Sequence, residues 1–217
     1  MFPIGDDDTE RRTLPIVTYA LLALNILMFL AELSGGDQFV NDWAFIPERF
    51  STAPASNAVT IFTAMFMHGS WFHLLGNMLF LWIFGDNVED SFGHVQFLIF
   101  YLLVGVAATL AQFAVSPHSD VPNLGASGAI AGVLGAYILM FPQQRVNVLF
   151  GPQIVAMPAI IVIGLWIALQ LFSGIGMVAH AHGTADVGGI AYLAHIGGFF
   201  AGFLLAFLFR GEDVSQT

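Results

Sequence analysis

The sequence predicts an all-α, polytopic membrane protein: a bundle of six transmembrane helices with a long first loop. Three observations predict it. Hydrophobic residues make up 57% of the chain and charged residues 9%, where a soluble domain carries roughly a quarter charged. The mean hydropathy is +0.80. Finally, the apolar residues gather into runs bounded by charge, Pro or Gly, and these approach the roughly 20 residues that a helix needs to cross about 30 Å of hydrocarbon. A chain of 217 residues is one domain, or two small ones at most.

The elements follow in order. Residues 1–13 form a polar N-terminal segment carrying Asp6, Asp7, Asp8, Glu10, Arg11 and Arg12. It is too acidic, and the run after it too long, for a cleaved signal peptide. The membrane domain is expected over 14–210, with spans at about 14–33, 70–88, 92–115, 125–141, 152–172 and 188–209. Between the first two lies a connection, 34–69, that holds Trp43, Pro47, Glu48, Arg49 and Pro54 and is too long to be a mere turn. Glu32 and Asp86 fall at span ends, and residues 211–217 make a polar tail. Positive charge stays on the cytoplasmic side. Cytoplasmic termini put Arg11, Arg12, Arg145 and Arg210 inside and Arg49 outside. The expected location is therefore the plasma (inner) membrane, multi-pass, with spans two, four and six all starting at the outer leaflet.

Composition also excludes chemistry. The five basic residues are all Arg and the net charge is −10, so no basic patch exists for nucleic acid. Without Cys there are no disulfides, thiolate metal sites or cysteine nucleophiles. His180 and His182 make a poor metal pair without a carboxylate or thiolate partner, and no metal or cofactor is expected. His94, His118, His180 and His182 read as solvated or interfacial, and Tyr19, Trp71, Trp82 and Trp166 as interfacial or packing aromatics.

Polar groups inside apolar runs are costly and mark candidate sites. They include His73 and Asn77 in span two, Ser127 at the start of span four and His195 in span six, with His68 just before span two. All lie near the N-terminal ends of spans that start on one side. His73 and Asn77 are four apart, about 40° around a helix, and share a face. His68 is about 140° from His73 and points elsewhere or precedes the helix. Gly125-Ala-Ser127-Gly128 opens a helix whose first N–H groups lack intrahelical partners and suit an oxyanion. Gly128/Gly132 and Gly198/Gly202 are small-x-x-x-small pairs that let spans four and six approach closely. Taken singly, each feature has an ordinary packing reading. Their convergence at one depth on three spans points to a site.

Three blocks carry a resemblance over most of the chain: His68-Gly-Ser-Trp-Phe-His73-Leu-Leu-Gly-Asn77, Gly125-Ala-Ser127-Gly128, and Ala194-His195-Ile-Gly-Gly198-Phe-Phe-Ala-Gly202. Together they resemble the signature blocks of the rhomboid intramembrane serine proteases. The resemblance implies a six-helix bundle with a short fourth span in its middle and a first loop lying partly in the outer leaflet. It implies Ser127 as nucleophile and His195 as general base, a dyad without an acid. His73 and Asn77, with the Ser127 N–H, would line the oxyanion hole, and His68 would help order loop one. Many relatives carry a Tyr under the histidine ring where this chain has Ala131, so a neighbouring side chain must take over that packing. The family's loop-one Trp-Arg motif finds only a loose counterpart in Arg49, flanked by Glu48 and Phe50.

The implied activity is an intramembrane serine endopeptidase whose partners are transmembrane protein substrates and membrane lipids. A serine hydroxyl needs a base within hydrogen-bond reach, and neutral imidazole, with an unperturbed pKa near about 6.5, suits that task. The segment 173–187 is expected to cap the opening, with span five beside a lateral route for substrate. Two rivals stand beside it. One is a catalytically impaired relative that binds or escorts membrane proteins. The other is a transporter, which would call for interior charges or paired repeats that the runs do not show.

Overall fold

The computed structural model describes residues 2–7, 9, 11–180 and 191–210, with the backbone alone at 176–180. Long helices lie on each of the predicted runs, with shifted ends. They are α1 (Ile16–Trp43), α5 (Trp71–Phe92), α6 (His94–Val115), α7 (Ser127–Met140), α8 (Ala159–His180) and α9 (Tyr192–Phe209). Three of these, α1, α6 and α9, are long and apolar enough to cross a membrane. A bent pair, residues 54–66 with α5 at 77°, makes a fourth if counted as one span, while α7 and the stretch Ala159–Ile175 are shorter apolar helices. The chain is a multi-pass membrane protein.

Helix α1 runs on past the expected end at Leu33. It kinks at Gly36 (φ 61°) and continues to Trp43. Glu32 is therefore not at a span end; it lies inside the helix, buried, and its carboxylate accepts from the His68 N–H at 2.8 Å. The connection that follows is itself folded, into α2 (Pro47–Thr52), α3 (Pro54–Asn57), α4 (Thr60–Thr63) and a 3-10 turn at Ala64–Phe66. Phe45 and Asn123 exchange backbone hydrogen bonds of 3.1 and 2.7 Å, and the Gly125 N–H donates to the Ala64 carbonyl at 2.9 Å. These bonds tie the first loop to the segment that enters α7. Phe45, fully buried, packs with Phe50 and Phe113 beneath it.

Residues 152–158 of the expected fifth span are not helical. β2 (Arg145–Phe150) and β3 (Gln153–Pro158) form a hairpin that turns at Gly151 (φ +58°), and β1 (Phe2–Asp6) pairs antiparallel with β2. The resulting three-stranded sheet, order β1-β2-β3, is an addition to the all-α expectation. Val146 and Val148 are buried while Arg145 is exposed and Asn147 half-buried, the two-residue period of a strand rather than the 3.6 of a helix. Helix α8 starts after Pro158 and extends past Phe172 to His180.

Helix α7 is the centre of the bundle, with every residue from Gly128 to Tyr137 buried. Its closest partner is α9, running parallel to it. A Cβ on Gly198 would collide with the Gly128 carbonyl, one on Gly202 with the Gly132 carbonyl, and one on Gly135 with the Phe199 carbonyl. The small-residue pairs read from the sequence therefore put backbone on backbone. Towards the C-terminal ends of α5 and α7 a polar network joins the sheet to the bundle. Asp6 accepts from the Tyr137 hydroxyl (2.6 Å) and the Asn87 amide (2.7 Å), and Arg11 pairs with the buried Asp86 at 2.7 Å. Glu89, fully buried, accepts from the Val17 and Thr18 N–H groups and the Thr18 hydroxyl at 2.9, 2.7 and 2.7 Å, which caps the start of α1. His94 is held there too, its Nδ1 2.6 Å from Glu89, and His118 is exposed. His182, residues 181–187 of the expected cap, 188–190 of the expected sixth span and the tail 211–217 lie outside the described residues, as does the side chain of His180.

Candidate active site

Three parallel helices deliver the polar residues to one place. Ser127 is the first residue of α7, so its N–H belongs to the opening turn that has no intrahelical acceptor. The approach to it is set by Gly125, whose φ of +131° is open to glycine and strained for other residues. Helix α5 starts at Trp71, where the Ser70 hydroxyl accepts from the His73 N–H as an N-cap at 3.2 Å. His73 and Asn77 then fall on one face.

The Ser127 hydroxyl lies 2.8 Å from His195 Nε2. Close packing of α7 on α9 makes this possible, because Gly128 and Gly198 stand one and three residues beyond the two side chains. His73 reaches the same spot from α5. A Cβ built on Gly125 would sit 2.9 Å from His73 Nε2 and 3.6 Å from the Ser127 hydroxyl oxygen, so ring and hydroxyl flank one point. Asn77 is buried, and its Nδ2 is a donor without an acceptor among the described residues. A buried orphan donor costs about 1–3 kcal/mol, and is tolerated where a ligand or developing charge will use it. His73, Asn77, Ser127 and His195 all line a cavity of about 950 Å³, together with apolar residues that include Phe72 and Phe80 of α5 and Trp166 of α8. A second cavity of about 40 Å³ behind Ser127, bordered by Thr109 and Asn123, has room for water.

His68 does not face away from this group. It precedes α5, and the loop turns it inward, fully buried, with its ring edge-to-face on His73 at 5.1 Å between centroids. Its two ring nitrogens have no hydrogen-bond partner among the described residues. Holding the segment in place is the backbone N–H bond to Glu32, a partner that the separation of 36 residues hides from sequence reading. Trp166, read as a packing aromatic, stands beside His195 at 5.8 Å between centroids. Sequence reasoning missed Gln170 altogether. One turn beyond Trp166 on α8, its Oε1 is 2.8 Å from His195 Nδ1. A single amide inside the run Leu165–Phe172 was the available signal.

Ser127, His73, Asn77 and His195 thus meet on one wall of one cavity. Among the described residues no group of three or more His, Cys, Asp or Glu is placed to hold a metal. The chemistry such a wall can support is attack by a hydroxyl whose proton has an acceptor, beside donors suited to an oxyanion. Comparison with known proteins identifies the family. The Rhomboid domain family model matches residues 55–212. The chain is 35% identical over 192 residues to the rhomboid protease GluP of Bacillus subtilis, covering 86% of this chain and 34% of that protein. It is 30% identical over 194 residues to the mitochondrial Rhomboid protein 1 of Saccharomyces cerevisiae, covering 87% of this chain and 51% of that one. Over 150 residues it is 32% identical to RHOMBOID-like protein 1 of Arabidopsis thaliana, 69% of this chain and 34% of the relative. The chain spans between a third and a half of the length of these relatives. With a family match that reaches from the first loop through α9 and takes in the three helices that carry His73, Asn77, Ser127 and His195, this chain belongs to the rhomboid family.

Proposed function

We propose that the chain is an intramembrane serine endopeptidase that cleaves transmembrane segments of other membrane proteins. The observation that carries this reading is the 2.8 Å hydroxyl-to-imidazole contact of Ser127 and His195 on the wall of a large cavity. Ser127 attacks the scissile carbonyl as its proton passes to His195 Nε2. The oxyanion that forms is met by the Ser127 N–H, the orphan Asn77 amide and the His73 ring. As the tetrahedral intermediate collapses, the C–N bond breaks and His195 returns the proton to the leaving amine. Water then attacks the acyl-enzyme by the same relay and frees Ser127.

Substrate presents an extended peptide, so helices that unwind cheaply, with small or helix-breaking residues near the outer end, are preferred. The gap lined by Phe72 and Phe80 of α5 and Trp166 of α8 supports lateral access from lipid. We place the chain in the plasma (inner) membrane, as a six-span bundle with both termini cytoplasmic. Arg11, Arg145 and Arg210 all lie towards the sheet end, opposite Ser127, and Arg49 lies on the Ser127 side, which supports that orientation. The active site then opens to the outer side.

The test is cleavage of a fluorophore-labelled single transmembrane segment in detergent or proteoliposomes. Ser127→Ala is expected to lose cleavage and labelling by a fluorophosphonate, with its fold retained. Cleavage by the alanine variant, or labelling at another serine, removes the mechanism.

A further inference from the structure

A serine hydrolase histidine needs its second ring nitrogen held, so that the proton sits there and the lone pair faces the hydroxyl. The Ser-His pair alone does not supply that. Ala131, one turn after Ser127 on α7, is fully buried and carries no group that could hold the ring. The described surroundings of His195 are Ser127 from α7, His73 across the cavity on α5, and Trp166 and Gln170 from α8.

We propose that Gln170 is the positioning residue of the active site, its side-chain carbonyl holding His195 in the tautomer that leaves Nε2 free to accept the Ser127 proton. The inference deepens the protease reading and rests on it. An amide oxygen is an acceptor only. At 2.8 Å from Nδ1, the Gln170 Oε1 matches an imidazole proton placed on Nδ1. Nε2, 2.8 Å from the Ser127 oxygen, is then the acceptor. When Nε2 takes the serine proton, Nδ1–H stays bonded to the amide oxygen, whose dipole favours the imidazolium. Trp166, four residues earlier on the same face of α8, closes the side of the ring at 5.8 Å. Orientation that an acid supplies in a triad comes here from a neutral side chain on a different helix from the nucleophile and the base. Gln170 touches neither substrate nor the reacting carbonyl, so it acts through His195.

The experiment uses the full chain in detergent with the labelled transmembrane segment, and Ser127→Ala beside it. Gln170→Leu keeps the bulk and removes the acceptor. Losing one buried hydrogen bond to the base is expected to lower kcat about 10- to 100-fold, with KM within about twofold. Gln170→Glu restores the acceptor in the same shape and is expected to recover turnover. In the wild type, 15N spectra of labelled His195 are expected to show the proton on Nδ1, and Gln170→Leu to mix the tautomers. Wild-type turnover in Gln170→Leu, no recovery in Gln170→Glu, or a wild-type proton on Nε2 overturns the inference. Should Gln170→Leu not fold, the glutamate variant and the wild-type spectrum decide. A wild type without cleavage sinks the protease reading instead, and the spectrum still reads the tautomer.

Discussion

Gly198→Ala is a one-carbon test of how the proposed active site is assembled. The added Cβ points at backbone: it collides with the Gly128 carbonyl oxygen, with the Gly128 carbonyl carbon at 3.0 Å and the Ala108 Cβ at 3.2 Å. Carbon atoms are at ease near 3.5–4.0 Å, and a helix backbone cannot rotate aside as a side chain can. The helices α7 and α9 must part by on the order of 1 Å. Overpacking of this kind costs about 1–3 kcal/mol of stability. The effect on chemistry is larger, because Gly128 follows Ser127 directly and Gly198 stands within one turn of His195. Parting the backbones there stretches a hydroxyl-to-imidazole contact of 2.8 Å past hydrogen-bond reach. A misplacement of about 1 Å can cost about 100-fold in rate. The assay is kcat on the labelled transmembrane segment, with thermal unfolding in the same detergent. Gly164→Ala is the control, since its Cβ meets nothing within 4 Å, and it is expected to keep activity and to gain slightly in helix stability. Gly198→Ala turning over at the wild-type rate, or Gly164→Ala failing equally, refutes the argument that backbone contact of α7 and α9 sets the site.

On the protease reading, Asn77→Ala removes a buried orphan donor from a residue of the cavity wall, and the loss of one oxyanion partner is expected to lower kcat by about 100-fold or more. Unfolding is expected to change little, since that donor has no protein partner among the described residues; an unchanged kcat would exclude Asn77 from the oxyanion site. Glu89→Ala leaves the Val17 and Thr18 N–H groups without an acceptor at the buried start of α1. It is expected to destabilise the fold by about 3 kcal/mol. Equilibrium unfolding in detergent reads this, and a midpoint equal to the wild type would show that α1 needs no cap.

Much of the site was legible because its residues belong to helices whose phase and direction follow from the chain. His73 and Asn77 share a face by their spacing of four, and the glycines at 128, 132, 198 and 202 mark a close-packed stripe without reference to anything distant. His68 was harder. Angular spacing places it away from His73 on an ideal helix, yet it sits before α5, where the loop is free to turn the ring back onto His73. The sheet is hidden in the sequence because 152–158 is apolar enough to pass for the first turns of a span, while the strand Phe2–Asp6 that pairs with the other arm of the hairpin, Arg145–Phe150, is more than a hundred residues away in the chain.

By itself the sequence determined a helical chain made for lipid, the face each helix offers, and the polar groups too costly to sit in hydrocarbon without a purpose. The tertiary structure decided which of those groups touch. Glu32 caps no helix of its own but holds the backbone of His68, Glu89 holds the start of α1, and Gln170 meets His195 from a neighbouring helix. Periodicity is a property of one segment and survives in one dimension. A hydrogen bond depends on a few tenths of an ångström between segments, and that distance exists only once the helices have packed.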